Sequence, residues 1–326
     1  LEKLDLGMDF EFFRDFLEER LTKKAKGKGG RPLYDYVLMF KIIILQRYYN
    51  LSDDQAEYQI NDHMSFMRFL NLTISDDIPD SKTIWHFSER LTYFDLVEEL
   101  FTLFGKELQK LGLIVNEGKI IDASFVKAPK QRNSKEKNDQ IKQGKGSELW
   151  KDTPNKKLQK DIDARWTKKN SQSYYGYKNH AKIDSKSKLI DTYTVTDASV
   201  HDLQTIDGLL NENDKDQELY ADSAYVEQEE TIEKHKVVNK IHEKGYKNKP
   251  LTEQQKETNT EKSRVRARVE HIFGFMENSM SCMYFRKAGI KRAKTVIGLM
   301  NLTYNIFRTI QLNTTNNGNV CFVVNA

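Results

Sequence analysis

Apolar residues recur along this chain at two spacings, and the change falls near Gly118. Before it the period is helical. Phe10, Phe13, Phe16 and Leu17 line one face of a segment over 9–21, and Leu38, Ile42, Leu45 and Tyr49 repeat the same amphipathic pattern. Ser52 and Asp53 offer a cap for a helix running to about Asn61. Asp80 or Ser81, just after Pro79, caps another through Leu91, and a long helix is expected from about Asp95 to Leu111. Residues 33–111 therefore read as all-helical. Short helices joined by tight turns suit a helix-turn-helix DNA reader and equally any small bundle.

Beyond Gly118 the period shortens. A short apolar strand is expected over 119–126. Residues 174–183 alternate, with Tyr175, Tyr177, Asn179, Ala181 and Ile183 on one side, and the turn at Asp184-Ser185-Lys186-Ser187 leads into a second strand over 188–196. A helix near 202–210, a strand at 217–222, a helix near 226–235 and a strand at 236–241 follow. A polar stretch, 243–260, precedes a long helix over about 261–280 and a final one near 292–312. This order predicts an α/β fold: a ribonuclease-H-like mixed sheet with flanking helices, preceded by an all-helical N-terminal domain, a DNA-binding domain if its turns are those of a helix-turn-helix. The expected division is 1–112 helical, 113–312 catalytic with a basic insertion near 127–170, and a tail over 313–326.

Charge sharpens the picture. The net charge is only +4, but from Lys127 to Asn170 fourteen basic residues face six acidic ones, so the rest of the chain is acidic. Such asymmetry points to a polyanion contact. The candidate tracts are Lys23–Arg31; Lys127–Lys169, with Lys130, Arg132, Arg165 and Lys168; Arg264, Arg266 and Arg268; and Arg286 to Lys294. The tract 127–170 has little apolar content and reads as a loop or excursion. The connector Lys23–Pro32 is glycine-rich and reads either as a solvated linker or as a strap along an anion. Trp150 and Trp166 lie among lysines, where they either stack on an unpaired base or pack the loop down. Two cysteines, Cys282 and Cys321, have no metal-like spacing and fit a reducing cytosol. No apolar run approaches the roughly 18 residues of a membrane span, and no signal sequence opens the chain. It begins at Leu1 rather than Met, which reads as a missing N-terminus.

Three carboxylates stand out. Asp122 closes Ile120-Ile121, Asp222 follows Leu219-Tyr220-Ala221, and Glu270 lies on an amphipathic helix. Each alone suits a cap or an ion pair. Together, on these elements in this order, they form an oxygen set for hard divalent cations, which drive phosphodiester chemistry. The expected topology makes Asp122 and Asp222 neighbours. Asp197 and Asp202 compete with Asp222, whose strand follows the helix in the required order. His201 reads as a cap, and Lys178 and His180 are expected to point to opposite faces of their strand.

At these residues the chain resembles insertion-sequence transposases of the IS5 family, within the IS4-like group of DDE transposases. The resemblance rests on Gly30-Arg31-Pro32, Leu45-Gln46-Arg47-Tyr48-Tyr49-Asn50-Leu51-Ser52-Asp53 and Ile78-Pro79-Asp80-Ser81-Lys82-Thr83-Ile84-Trp85. It continues through Ile121-Asp122-Ala123-Ser124, Asp163-Ala164-Arg165-Trp166, Tyr175-Gly176-Tyr177-Lys178-Asn179-His180, Val200-His201-Asp202, Tyr220-Ala221-Asp222-Ser223-Ala224-Tyr225 and Arg266-Ala267-Arg268-Val269-Glu270. It implies that Asp122, Asp222 and Glu270 are the catalytic, metal-binding residues, holding two Mg²⁺ ions (Mn²⁺ as substitute). It also implies strand cleavage at terminal inverted repeats and strand transfer into target DNA, by a homodimer in a bacterial cytoplasm. DNA contacts are expected at Arg31, Lys127, Lys130, Arg132, Arg165, Trp166, Lys168, Lys178, Arg264, Arg266 and Arg268. Ser263 and Glu277 depart from the Tyr and Lys of the related group's signature around the glutamate. The alternative is an inert DNA-binding descendant of such an enzyme.

Overall fold

A computed structural model describes residues 1–22, 33–169 and 171–315. The chain forms two compact units: residues 1–114 with 276–282 and 298 onward, and residues 115–275 with 283–297.

In the first unit, α1 (Glu2–Gly7) precedes a 3-10 turn at Phe10–Phe13 and α2 (Arg14–Leu21), so the segment expected as one helix changes pitch at Phe13. α3 (Tyr36–Tyr49) is capped by Asp35 and buries ten of its fourteen residues, leaving no broad polar face, so it forms the centre of the unit. α4 (Asp53–Asp62) starts at a capping box of Ser52 and Gln55. α5 (Met64–Phe69), α6 (Ser81–Tyr93, capped by Asp80) and α7 (Leu96–Lys110) complete the N-terminal helices. Phe10 meets Phe69 edge-on at 5.6 Å, and Phe13 meets Phe40 edge-on at 4.9 Å. These are the offset geometries that ring quadrupoles favour.

The second unit begins with β1 (Lys119–Lys127), α8 (Lys135–Lys142), α9 (Pro154–Leu158), β2 (Arg165–Lys169), β3 (Gln172–Asp184) and β4 (Ile190–Asp197). It continues with α10 (Ile206–Leu209), β5 (Glu218–Tyr220), α11 (Glu229–His235), β6 (Val238–Asn239), α12 (Glu253–Gly274) and the start of α13 (Ile290–Thr315). β1 pairs antiparallel with β3, and β3 pairs with β2 and β4; β5 lies parallel to β1, and β6 parallel to β5. The resulting order, β4-β3-β1-β5-β6, is the mixed ribonuclease-H-like sheet that the sequence predicts. Ile121, Leu219 and Ala221 pack with Ile206, Leu209, Tyr225 and Ile232 on one face. α12 supplies Arg266 to Asp122, which points to the other face.

Two expectations give way here. The basic stretch 127–170 folds into α8, α9 and β2 rather than a loop. Most of its lysines point outward while Ile141, Gly146, Ala164 and the carboxylate of Asp161 are buried. The Tyr177 hydroxyl lies 2.7 and 2.8 Å from the two oxygens of Asp161, and the Asp161 carboxylate also accepts the N–H groups of Asp163 and Ala164. One buried carboxylate thus ties the insertion to β3. Asp163 in turn accepts the first free N–H of α13, at Ile290. The long helix α12 begins at Glu253, inside the polar stretch, because Thr252 and Gln255 form a capping box there.

Gly176 is required by close approach. Its φ is +147°, and a Cβ there would lie 2.3 Å from the Val126 carbonyl oxygen. That clash would part β3 from β1, the strand that carries Asp122.

Candidate active site

The site is built where β5 stops short beside β1. Ile120 is paired with Tyr220, so two residues further on Asp122 and Asp222 come side by side. β1 continues to Lys127 while β5 has ended, which opens the sheet edge at Asp122. Asp222 caps the 3-10 turn Ser223–Tyr225, with Oδ1 accepting the Ala224 N–H at 2.7 Å. Asp122 uses Oδ1 for the Ala123 N–H at 2.8 Å and Oδ2 for Nη1 of Arg266 at 3.0 Å. Arg266 Nη2 lies 3.9 Å from Oε1 of Glu270, one helical turn along α12. A guanidinium therefore stands between two of the three carboxylates.

Burial pushes the Asp122 carboxyl above its usual range, and the charge of Asp222 pushes the same way; the Ala123 N–H and the charges of Arg266 and Lys169 oppose this without prevailing. A desolvated carboxylate beside a second one attracts a cation. The donors are all oxygens, the chemistry that hard divalent ions require. Asp122, Asp222 and Glu270 thus fit such an ion chemically. Among the described residues, however, no three His, Cys, Asp or Glu side chains are grouped closely enough to enclose one.

α12 is fastened at its polar half. His242 Nδ1 lies 2.8 Å from the Ala221 carbonyl and can only donate to it; Nε2 lies 2.8 Å from the Ser263 hydroxyl, which donates to it when the ring is neutral. Lys262 donates to the Ile241 carbonyl, and Asn259 bonds both backbone groups of Glu243. The chain Ser263–His242–Ala221 links the helix that bears Glu270 to the residue preceding Asp222.

The rival carboxylates are otherwise engaged. Asp197 accepts the N–H and hydroxyl of Ser199, and Asp202 takes Lys178 Nζ at 2.8 Å. His201 caps the turn that follows it, accepting the Leu203 N–H at 3.4 Å. Lys178 and His180 share one strand face, opposite Phe125 and Ala123, and not opposite faces as expected, because residues two apart in a strand point the same way. Both are buried, with His180 Nδ1 lying 3.7 Å from Asp202. The Tyr225 hydroxyl is buried without a partner among the described residues. Burial, then the charges of Asp202, Asp122 and Asp222, push it well above the usual phenol value. Tyr225, Lys169 and His242 were missed as parts of this neighbourhood, whereas Asp202 was weighed only as a rival ligand. The sequence signal for the first was its place three residues after Asp222.

The cations expected to meet DNA divide into two groups. Lys127, Lys130, Arg132, Lys168 and Arg264 are exposed, and Trp166 is 44% exposed with Lys130 Nζ 5.8 Å from its ring. Arg165, by contrast, donates to the carbonyls of Ile162, Ala164 and Ile141, and Arg268 donates to that of Ser185. Lys178 is buried against the Val200 carbonyl and Asp202, which already take its ammonium group, so the geometry does not favour the expected DNA contact. Trp150 lies beneath Lys137 and Lys160 and packs the insertion. Arg31 lies outside the described residues, as do the rest of its tract and residues 316–326. Among the described residues no helix is long and apolar enough to cross a membrane.

A family model described as a transposase DDE domain matches residues 115–306, more than half of the chain. A second, described as a transposase domain (DUF772), matches residues 1–90. Among solved structures, the cryo-EM structure of a piggyBac transposase synaptic complex with hairpin DNA is similar at 10% identity. The match covers 98% of this chain and 76% of that one, with a TM-score of 0.46. That likeness is too loose to transfer any residue's role.

Proposed function

The chain belongs to the transposase DDE-domain family, and from that premise we propose that it is an IS5-type enzyme that binds the terminal inverted repeats of its element, cleaves the strands there and joins them to target DNA. Asp122, Asp222 and Glu270 are the catalytic carboxylates in this reading, and they hold Mg²⁺, with Mn²⁺ as a substitute. Bound divalent ions supply the activation of the attacking oxygen and the stabilisation of the leaving one. The chain's own residues do the positioning. The β1–β5 register holds the two aspartates side by side, the Ala123 and Ala224 N–H groups fix one oxygen of each, and Arg266 of α12, bonded to Asp122, lies 3.9 Å from Glu270.

One observation carries the proposal: a desolvated carboxylate at Asp122, raised by Asp222 beside it and already bonded to a cation from the helix that bears Glu270. DNA is held, in this reading, by Lys127, Lys130, Arg132, Trp166, Lys168 and Arg264, together with Arg31. Arg165 and Arg268 brace the fold instead. The helical region over 1–112 contacts the repeats chiefly through Lys23–Arg31, because residues 33–114 hold thirteen acidic against seven basic side chains. Two copies act together, since two ends must be joined, and they do so in a bacterial cytoplasm.

Asp122→Asn tests the assignment. Cleavage of a duplex carrying the DNA that flanks the gene is expected to fall by about three orders of magnitude or more, since several kcal/mol of metal-borne stabilisation are lost. Binding of that duplex is expected to stay within about threefold, because phosphate contacts dominate affinity. Cleavage that survives in the variant rules out Asp122 as a catalytic ligand.

A further inference from the structure

We propose that Arg266 is a built-in competitor for the divalent cation: its guanidinium holds the cation's place between Asp122 and Glu270 until a DNA phosphate draws it away, so that metal and DNA bind with positive coupling. This rests on the reading of Asp122 as a metal ligand and adds a positioning residue to it.

Three observations lead there. Both oxygens of Asp122 are engaged, one by a backbone N–H and the other by Nη1 of Arg266 at 3.0 Å, so a metal entering at Oδ2 meets the guanidinium first. The same guanidinium lies 3.9 Å from Glu270, so it neutralises two of the carboxylates a metal would need. Asp122 lies beside Asp222 where β5 ends, so the site gathers more negative charge than one guanidinium carries. A divalent ion meets that charge more fully, and the displaced guanidinium then needs an anion. Phosphate is the anion that the guanidinium fork matches in two-point geometry. DNA that takes Arg266 frees Oδ2, and metal that takes Oδ2 frees Arg266; linkage makes the two effects equal. The arrangement keeps the site from loading metal, and so from cutting, before a phosphate is in place.

The test measures Mn²⁺ binding to the full chain without DNA, by electron paramagnetic resonance, in the wild type and in Arg266→Gln, Arg266→Lys and Asp122→Asn. Arg266→Gln is expected to bind Mn²⁺ about tenfold more tightly, within the usual span of such couplings. Arg266→Lys keeps the charge and is expected to stay near wild type, which separates competition from damage to the fold. A second arm measures the affinity of a labelled duplex, copied from the DNA flanking the gene, with and without Ca²⁺. The wild type is expected to gain about tenfold from the ion and Arg266→Gln to gain little. If Asp122→Asn abolishes Mn²⁺ binding while Arg266→Gln leaves it unchanged or weaker, the competitor role is overturned and the metal assignment stands. If Asp122→Asn leaves Mn²⁺ binding intact in the Arg266→Gln background, the metal assignment itself fails.

Discussion

The two units bury different chemistry. In the helical unit the interior is hydrocarbon, aromatic rings and neutral polar groups such as Gln46, Asn301 and Asn305, and a buried cation, Lys41, lies 4.4 Å from the Phe69 ring centroid and 3.7 Å from Asp5. In the sheet unit, ions run through the core. Lys182 Nζ is 2.6 Å from Asp214 and 3.1 Å from Asp191, and Lys119 Nζ is 2.9 Å from Asp191. Buried apolar area stabilises without regard to partners, whereas a buried ion is tolerable only when paired. The unit that carries the candidate site is therefore the one whose stability depends on charges meeting. A sheet that holds a desolvated carboxylate at Asp122 is built on the same terms.

The strongest way to break this contrast is to remove one ion. Lys182→Met leaves Asp214 buried with no cation, and is expected to cost about 3–5 kcal/mol in urea unfolding. Adding Asp214→Leu should restore much of that loss, since an apolar pair can replace a buried ion pair. In the helical unit Phe13→Ala is expected to cost a similar 3–5 kcal/mol through the cavity it leaves, but no second substitution that removes a charge should rescue it. A loss below about 1 kcal/mol for Lys182→Met would show that the sheet does not rely on its ions.

Acid is the next test. Burial, aided by the Lys178 charge and opposed by Asp202, lowers the His180 imidazole from its usual 6.5 to about 4. The unfolded chain therefore takes up a proton that the folded chain refuses, and stability falls as the pH drops from about 6.5 to about 4. Below that window Asp191 takes over. Burial alone would raise its carboxyl, but Lys182 and Lys119 prevail and hold it below its usual value. Its contribution is present at higher pH and lost as pH falls through the folded value. Hydrogen exchange at pH 7 and pH 4.5 should show amides of β3 and β4 losing about 2 kcal/mol of protection, with those of α3 losing much less. Equal losses in both would sink the contrast.

How much of this was legible follows from where partners lie. Helices of the first unit announce themselves locally: Ser52 and Asp80 cap where expected, and the apolar period sets the rest. Strand order placed Asp122 beside Asp222, because register follows from topology, whereas Glu270 came from the family resemblance, its spacing to Arg266 alone suiting an ordinary ion pair. The insertion was illegible because its organiser, Asp161, is tied to Tyr177, sixteen residues on and in another element. The structural bonds of the charges were hidden for a related reason. Arg165 and Arg268 bond backbone carbonyls, which every residue has and no sequence pattern marks. Lys182 and Asp214 are 32 residues apart, so a lysine in an alternating strand looked no different from a solvated one. α12 began early because its polar first turns are held by Asn259 and Lys262 rather than by an apolar stripe.

The smallest expected effect separates the units by sign. Asp122 has a raised carboxyl, so its charged form is a burden on the fold at neutral pH; what stability the group contributes is present when it is protonated and lost as pH rises through the folded value. Asp122→Asn removes that burden and should stabilise the sheet unit by about 0.5–1 kcal/mol, even as it removes cleavage. Arg266, left without that carboxylate, is still partly solvated and near Glu270, which limits the penalty. Asp35 in the helical unit is the opposite case. It caps α3 at the Leu38 N–H and pairs with Arg14 at 2.6 Å; burial would raise its carboxyl, but those bonds lower it. Asparagine caps nearly as well as aspartate, so Asp35→Asn should lose only the exposed ion pair, about 0.5 kcal/mol. The same change of one carboxylate to an amide is thus expected to raise the urea midpoint at the sheet edge and lower it at the helix start. If both variants shift the same way, Asp122 is an ordinary structural aspartate and its burial has no functional reason.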